Sequence, residues 1–542
     1  MAYRIVNRRQ ISRRIRSRCR LDAPEVFFWR IFLWEKAMNR VLDAELMKQA
    51  DAYTTMKIGI PSLTLMERAA FATAEEIMKR FPDPNVVTGV LVLAGCGNNG
   101  GDGIAAGRIL AEHGYRVSIC LCREDSEGSD GYRAQLLYAK NLGMDLVSAS
   151  GVSFDDYAII LDAIFGIGLS RPVAGIESRL IESANASGAF RVAVDIVSGI
   201  SADSGQILGC AFRADLTVTF AYGKAGHYFY PGAEYAGELV IRKIGIEMPL
   251  SDEQGLFLLD KTCFSDLPKR KEGGNKGSYG RVLVIAGSYD MYGACRFCAE
   301  AAYRSGAGLV EVFTVRENRD LLMRDLPEAV MNLYDPADEV GTLVALDAAI
   351  KRADAVLIGP GLGRSRSSKV LLKCVLSKAS VPVIIDADGI RMAAEEMALL
   401  DTAAQRIPVI LTPHPGELSA LTSLTIDAIG KDRIRVVRGF ARDHRVILAA
   451  KDARSLVSLP DGRTFLNISG NDGMGTGGTG DVLAGLIAGL TAGSKEPAVS
   501  TYTAVLLHGM MGDKAKARLG ERSLLAGDLL AEIASVIKET VK

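Results

Sequence analysis

Short, uninterrupted runs of β-branched residues alternate with helical stretches along almost the whole chain, and that alternation leaves few folds open. The run VVTGVLVLAG (86–95) sets the type. A strand with no polar face is one buried on both sides, as in a parallel sheet covered by helices. Before it the pattern predicts a helix from Ala44 to about Tyr53 and another beginning near Ser62; after it come glycines and the helical IAAGRILAEHG. The unit recurs through RVSICLC, a helix near Gly131–Leu142, YAIILDAIFG, RVAVDIVSG and LTVTFAYG, and closes with ELVIRKIGI near Gly245. Residues 248–276 lose this periodicity and gather Pro, Gly and charge, which marks a linker. A second series then runs from RVLVIAGS through GLVEVFTV, ADAVLIGPGLG, VPVIIDAD, IPVILTPHPGE and RVILAAKD to a Gly-rich segment and two helices. The expectation is two α/β domains in tandem on mainly parallel sheets. Their expected limits are 38–250 and 258–542, after an N-terminal extension at 1–37.

Sixty-four Lys+Arg balance 64 Asp+Glu, which argues against a nucleic-acid binder acting through bulk charge. No nucleic-acid partner is expected. Nine Cys in 542 residues are too sparse for a disulfide framework. The C-x-x-C of Cys295 and Cys298 sits in an Ala-rich helical pattern and reads as small core residues rather than a redox pair. No apolar run reaches the roughly 18 residues of a membrane span, so no membrane partner is expected and the protein reads as soluble and cytoplasmic; a homo-oligomer is expected. The extension holds eight Arg and no acid within its first 20 residues, followed by VFFWRIFLW. It fails as a signal peptide, because Arg30 splits the apolar stretch and no cleavage site follows. The favoured reading is that Met38 is the true start and that the arm is dispensable for catalysis.

The chemistry lies in the turns after the strands. Gly95-Cys-Gly-Asn-Asn-Gly-Gly-Asp-Gly103 follows a buried strand and opens a helix, where free N–H groups and the helix dipole attract anions, while its Asn and Asp oxygens could also serve a hard cation. Asp162 and Asp195 end two further strands, and ligands of open parallel sheets bind beyond the carboxyl ends of strands. In the second half Gly475-Thr-Gly-Gly-Thr-Gly-Asp481 runs straight into VLAGLIAGL. Such a turn suits an oxyanion, and Asp481 is placed to take a proton from an attacking hydroxyl. Lys451 offers a cation for nucleotide phosphates, and His414 and the turn Gly359–Gly363 stand at two more strand ends.

These motifs resemble those of the bacterial bifunctional NAD(P)H-hydrate repair enzymes, from Met38 to the C-terminus. GNNGGDG, LDAIFGIGLSRPV, VDIVSG and the LMERA helix are similar to the NAD(P)HX epimerase half. KGSYGRVLVIAGS, GAGLVEV, GPGLG, DADGI, LTPHPGE and GTGGTGDVLAG are similar to the ADP-dependent NAD(P)HX dehydratase half, of the ribokinase-like superfamily. The resemblance implies two tandem α/β/α domains, the first Rossmann-like and the second ribokinase-like. It implies substrate binding in the first half by Asn98, Asn99, Gly100, Gly101 and Asp102, by Gly166, Ile167, Gly168, Leu169, Ser170, Arg171 and Pro172, and by Asp195, which would also be the acid/base. A potassium ion would be held by Asn99, Asp162 and Ser198, and Lys224 would be a neighbour. In the second half Ala294, Gly363, His414 and Asp481 would contact the hydrated nicotinamide. Lys451, Asp452, Ala453, Arg454, Ser455 and Gly480 would hold ADP, with Mg²⁺, and Asp481 would be the catalytic acid/base. Cys96 stands where the family has Pro, Val197 where it has the Pro of D-I-P-S-G, and Ala450-Lys-Asp-Ala-Arg-Ser455 where it has L-K-G-x-x-T. Asp452 for Gly thus sets a negative charge beside the phosphates.

The implied activity is repair. The two hydrate epimers of NADHX and NADPHX are interconverted, and S-NAD(P)HX is dehydrated with ADP to NAD(P)H, AMP and phosphate. Phosphorylation turns a poor hydroxyl leaving group into a good one, which requires an anion hole and a general base. The alternative is a ribokinase-like small-molecule kinase with an N-terminal ligand-binding module, which would leave a phosphorylated product instead of free phosphate.

Overall fold

The computed structural model describes residues 40–123, 128–270 and 272–540, and the basic extension, with both tryptophans, lies outside them. The first half supplies strands β1 (Arg40–Leu42), β2 (Val90–Ala94), β3 (Val117–Leu121), β4 (Asp145–Ser148), β5 (Ile159–Ala163), β6 (Phe190–Val194), β7 (Leu216–Phe220), β8 (Gly223–Lys224) and β9 (Glu238–Arg242). Seven of them form a wholly parallel sheet in the order β4-β3-β2-β5-β6-β7-β9. Alternate residues of β2 serve opposite layers: Val90, Val92 and Ala94 join one apolar core, Leu91 and Leu93 the other. All five are buried, so the run could carry no polar face. Helices α1 (Ala44–Tyr53) and α2 (Ser62–Arg80) begin where the sequence pattern placed them, whereas α3 (Asn98–Glu112) begins six residues before IAAGRILAEHG, inside the segment that reads as a glycine loop. The Asp43 carboxylate caps α1 by accepting from Leu46 N–H at 2.8 Å.

The second half adds β10 (Leu256–Leu258), β11 (Arg281–Ile285), β12 (Leu309–Val315), β13 (Val330–Tyr334), β14 (Ala355–Ile358), β15 (Val383–Ile385), β16 (Val409–Leu411), β17 (Ile447–Ala450), β18 (Leu456–Ser458) and β19 (Thr464–Leu466). Its sheet runs β13-β12-β11-β14-β15-β16-β17-β18-β19-β10-β1-β8, parallel through β17 and mixed thereafter. Helix α4 (Tyr292–Ser305) packs closely on α5 (Thr479–Ser494). A Cβ added at Gly485 of α5 would lie 2.3 Å from the Cys298 carbonyl oxygen, so only glycine permits this approach. Cys295 and Cys298 are buried in that contact, as the Ala-rich pattern implied, and burial pushes both thiols well up. No helix among the described residues is long and apolar enough to cross a membrane.

Two features of the first-half/second-half boundary were not visible in the sequence. The 248–276 stretch is not wholly aperiodic: Leu256–Leu258 is a strand with Leu256 and Phe257 buried, too short to show a period. The larger sheet also crosses the boundary, because β1 pairs with β10 and β8 pairs with β1. From Arg40 onward the described residues form one compact unit. Phe257 stacks on Phe465 at 5.2 Å between ring centres, Phe465 stacks on Tyr502 at 4.4 Å, and the Arg40 guanidinium lies 3.7 Å from the Phe257 centroid. Phe257→Ala is therefore expected to cost about 3–5 kcal/mol in denaturant unfolding of the full chain. A loss below about 1 kcal/mol would show that the crossing strands do not hold the halves together.

Candidate active sites

The order of the first sheet reverses between β2 and β5, and at that switch point a cavity of about 790 Å³ opens beyond the strand ends. Its walls include Asn98, Asn99 and Asp102 from the start of α3, Gly166–Arg171 from the turn after β5, and Asp195 after β6. Gly100 and Gly101 lie buried behind the wall. A Cβ at Gly100 would come within 1.7 Å of the Gly95 carbonyl oxygen, which is why the turn must fold as glycine. Of the substrate-binding positions expected here, Gly100, Gly101 and Pro172 do not line the cavity.

Asp195 adopts φ of +65°, the left-handed region that costs a non-glycine residue strain. Its carboxylate is ion-paired with Lys224, which is fully buried, and accepts from Thr219 Oγ1 at 3.1 Å. Burial pushes the acid up, but the Lys224 ammonium and the Thr219 hydroxyl outweigh it, and the net direction is down. His227 sits beneath. Its Nδ1 accepts from the Lys224 N–H at 3.2 Å, so its Nε2–H donates to the Asp195 carbonyl at 3.0 Å. Burial and then Lys224 push His227 down to about 3, so it stays neutral.

Two further carboxyls, Asp51 of α1 and Asp102, face the same cavity with no hydrogen-bond or ion-pair partner among the described residues. Burial and then the nearby Asp195 charge push Asp51 up to about 6 and Asp102 well above the usual range. Asp51 was not singled out in the sequence, because nothing near it in the chain signals a strand end. Asp162 differs again. It is fully buried, and among the described residues its carboxylate is bonded only by Ser198 N–H at 2.8 Å, Ser198 Oγ–H at 2.6 Å and Ile164 N–H at 3.2 Å. Burial pushes it up to about 6 despite those donors. Around it, the Phe165 carbonyl accepts from Asn99 Nδ2 at 3.0 Å and lies 3.3 Å from Ser198 Oγ, whose proton is held by Asp162. Asn99, Asp162 and Ser198 are thus brought together as expected, with the Phe165 oxygen added. A buried carboxylate facing three neutral oxygen-bearing groups and no cationic side chain suits a monovalent cation.

The second cluster gathers at the matching ends of the larger sheet, whose order reverses between β11 and β14. Lys451, after β17, donates from Nζ to Asp386 Oδ1 at 2.7 Å, and Thr412 Oγ1 donates to the same oxygen at 2.7 Å. Burial lowers the Lys451 ammonium, but Asp386 outweighs it and the net direction is up. Gly480 and Asp481 begin α5 beside this pair; a Cβ at Gly480 would stand 3.3 Å from Lys451 Nζ. Burial, and then the Asp386 charge, push Asp481 up to about 7. His414 caps the helix Pro415–Thr422, with Nδ1 accepting from Gly416 N–H at 3.0 Å. Burial and Lys451 lower its pKa. Gly363 N–H donates to Asp388 at 2.9 Å, and Ala294 packs against Gly361. Asp386 directly follows β15 as Asp195 follows β6, so the signal that would have found it was present.

The stretch Lys451–Ser455 does not turn as one. Lys451 faces Asp386, Asp452 pairs with Arg433 at 2.9 Å, and the Arg454 guanidinium donates to Tyr230 of the first half at 3.4 Å. Asp452 therefore carries its own counter-charge, which the sequence did not reveal because Arg433 lies on a separate helix.

Residues 282–535 match the family described as NAD(P)H-hydrate dehydratase, and residues 62–226 match the family described as YjeF-related protein N-terminus. The chain is similar to the bifunctional NAD(P)H-hydrate repair enzyme of Moorella thermoacetica, 35% identical over 91% of this chain and 95% of that one. To the enzyme of the same name from Coxiella burnetii it is 37% identical, over 88% of this chain and 95% of that one. A solved ADP/ATP-dependent NAD(P)H-hydrate dehydratase of Bacillus subtilis, co-crystallised with ATP/Mg²⁺, is 30% identical, with a TM-score of 0.45 over 52% of this chain and 96% of that one.

A buried cation and a buried anion that compensate each other fail when one is removed. Lys224→Met is expected to lose about 3–5 kcal/mol in denaturant unfolding, and adding Asp195→Asn to recover most of it. Equal stability of the single and double variants would mean that the pair is not coupled.

Proposed function

The chain belongs to the family of bifunctional NAD(P)H-hydrate repair enzymes, and on that premise we propose which of its residues carry each half of the repair. The protein epimerises NAD(P)HX and dehydrates it, with the first half as epimerase (38–250) and the second as dehydratase (258–542). The observation that carries the assignment is the split among buried acids: Asp195 is held ionised in one cavity, whereas Asp481 is poised near neutrality in the other cluster.

In the epimerase cavity Asn98–Asp102 and Gly166–Pro172 bind the dinucleotide, and the start of α3 offers N–H groups to its phosphates. Asp195, ionised through Lys224, takes a proton, and neutral Asp102 on the same wall can give one. A base and an acid side by side suit inversion at a carbon bearing a hydroxyl, with no nucleotide donor. The oxygens of Asn99, Asp162, Ser198 and Phe165 would hold potassium, whose charge would offset the buried carboxylate.

In the dehydratase cluster the first-turn N–H groups of α5, which have no partner within the helix, receive a phosphoryl group. Bound ADP would supply that group and leave as AMP, after which the C–O bond breaks with phosphate as leaving group and the adjacent carbon gives up a proton to water, so that the ring regains its double bond as NAD(P)H. Asp481 accepts the hydroxyl proton, Lys451 and Gly480 hold the nucleotide phosphates, and Lys451–Ser455 border the nucleotide with Mg²⁺. Ala294, Gly363 and His414 line the hydrated ring. The release of free phosphate separates this reading from that of a kinase.

Asp481 must be ionised to act, and its pKa stands at about 7. The dehydration rate should accordingly rise with pH through about 7 and fall tenfold per unit below it. Asp481→Asn keeps the size and shape of the side chain but cannot accept a proton, so phosphate release should slow by at least about a hundredfold while epimerisation persists. Near-normal phosphate release from that variant would place the base elsewhere.

Potassium should matter to the first half alone. Asp162→Ala, or replacement of potassium by tetramethylammonium, should slow epimerisation and leave dehydration of pure S hydrate intact. Parallel loss of both would indicate misfolding in place of a lost ion site.

A further inference from the structure

Asp452 places an acid in the segment that the proposed function assigns to a nucleotide polyanion, and a free carboxylate there would repel the phosphates. The structure disposes of that charge. Asp452 Oδ1 accepts from Ala453 N–H at 2.8 Å, and Oδ2 pairs with Arg433 Nη1 at 2.9 Å, so both oxygens are engaged within the turn. The turn is closed on its far side, where Ser455 Oγ–H donates to the Asp452 carbonyl at 3.2 Å. Arg433 is itself largely buried, with 13% of its side chain exposed, and its other arm donates to the Ala450 carbonyl at 3.4 Å, one residue before Lys451. Its guanidinium lies 5.7 Å from the ring centre of Phe229, which comes from the first half. Arg433, Asp452, Ala453 and Phe229 line a small cleft of about 130 Å³ between the halves, together with Tyr230, whose hydroxyl accepts from Arg454.

We infer that Arg433 is a positioning residue of the nucleotide segment: it draws the Asp452 carboxylate into a pair seated on Phe229 and so keeps that charge off the phosphates of bound ADP. Arg433 touches neither substrate nor nucleotide. It acts by fixing where Asp452 points, and the first half supplies the ring on which it rests. Removing the guanidinium frees an acid beside a polyanion, whereas removing the acid as well returns a neutral turn.

This inference rests on the assignment of Lys451–Ser455 to ADP, and two measurements on the full-length chain keep the two apart. Amide hydrogen exchange across residues 451–455, with and without ADP, tests the assignment, which fails if ADP gives no protection. Steady-state dehydration of S hydrate tests the inference. Arg433→Gln should raise KM for ADP about tenfold, equivalent to about 1.4 kcal/mol, with kcat at saturating ADP and the epimerase rate both within about twofold of the parent. Arg433→Gln with Asp452→Asn should bring KM back to within about threefold of the parent. Protection of 451–455 together with an unchanged KM in Arg433→Gln, or a raised KM that Asp452→Asn does not rescue, overturns the inference. A loss of kcat and epimerase activity in Arg433→Gln overturns it too, because that outcome marks a structural residue.

Discussion

The chemistry of both halves depends on one constraint: acids gathered beyond the carboxyl ends of two parallel sheets, Asp162 and Asp386 wholly and Asp195 mostly, are taken out of water. A buried carboxylate must be compensated or give up its charge. The chain settles this differently at each end. Asp195 and Asp386 are compensated by the lysines Lys224 and Lys451. Asp162 has hydrogen bonds and no cationic side chain. Asp102 and Asp481 have no cation in hydrogen-bond contact and rise in pKa. The same residue type thereby stands as an ion-paired anion, a hydrogen-bonded carboxyl or an acid of raised pKa according to what folds against it.

The halves meet through backbone as well as side chains. β8, which carries Lys224, is the edge of the sheet whose β17 leads into Lys451. The lysine that holds Asp195 ionised and the lysine beside Asp481 therefore stand on one sheet. Continuity of that kind aligns the two clusters without requiring them to exchange anything, and it accounts for the burial of a segment that reads as a linker.

Much of this was legible in the chain. The buried strands, the opening helices, Asp162, Asp195 and Asp481 follow from runs such as VVTGVLVLAG and from glycine turns, because those features are local. Asp386 ended an equivalent strand and could have been found by the same rule. What escaped was long-range. Asp51 reaches the cavity from a helix more than a hundred residues away in sequence from Asp195. Leu256–Leu258 is too short for periodicity, and β1 and β8 owe their pairing to a sheet formed largely by the other half. Asp452 looked like a charge facing phosphates until Arg433 was seen beside it.

The most direct test of the division of labour is to give purified R and S hydrates separately, with ADP, to Asp195→Asn in the full chain and to follow each epimer by HPLC. The variant should consume the S hydrate at close to the parent rate, releasing one phosphate per NAD(P)H formed, while the R hydrate is converted no faster than it epimerises spontaneously. Conversion of R as fast as S would take Asp195 out of the epimerase, and loss of both conversions by a variant that keeps the parent's circular-dichroism spectrum would contradict two separately working sites.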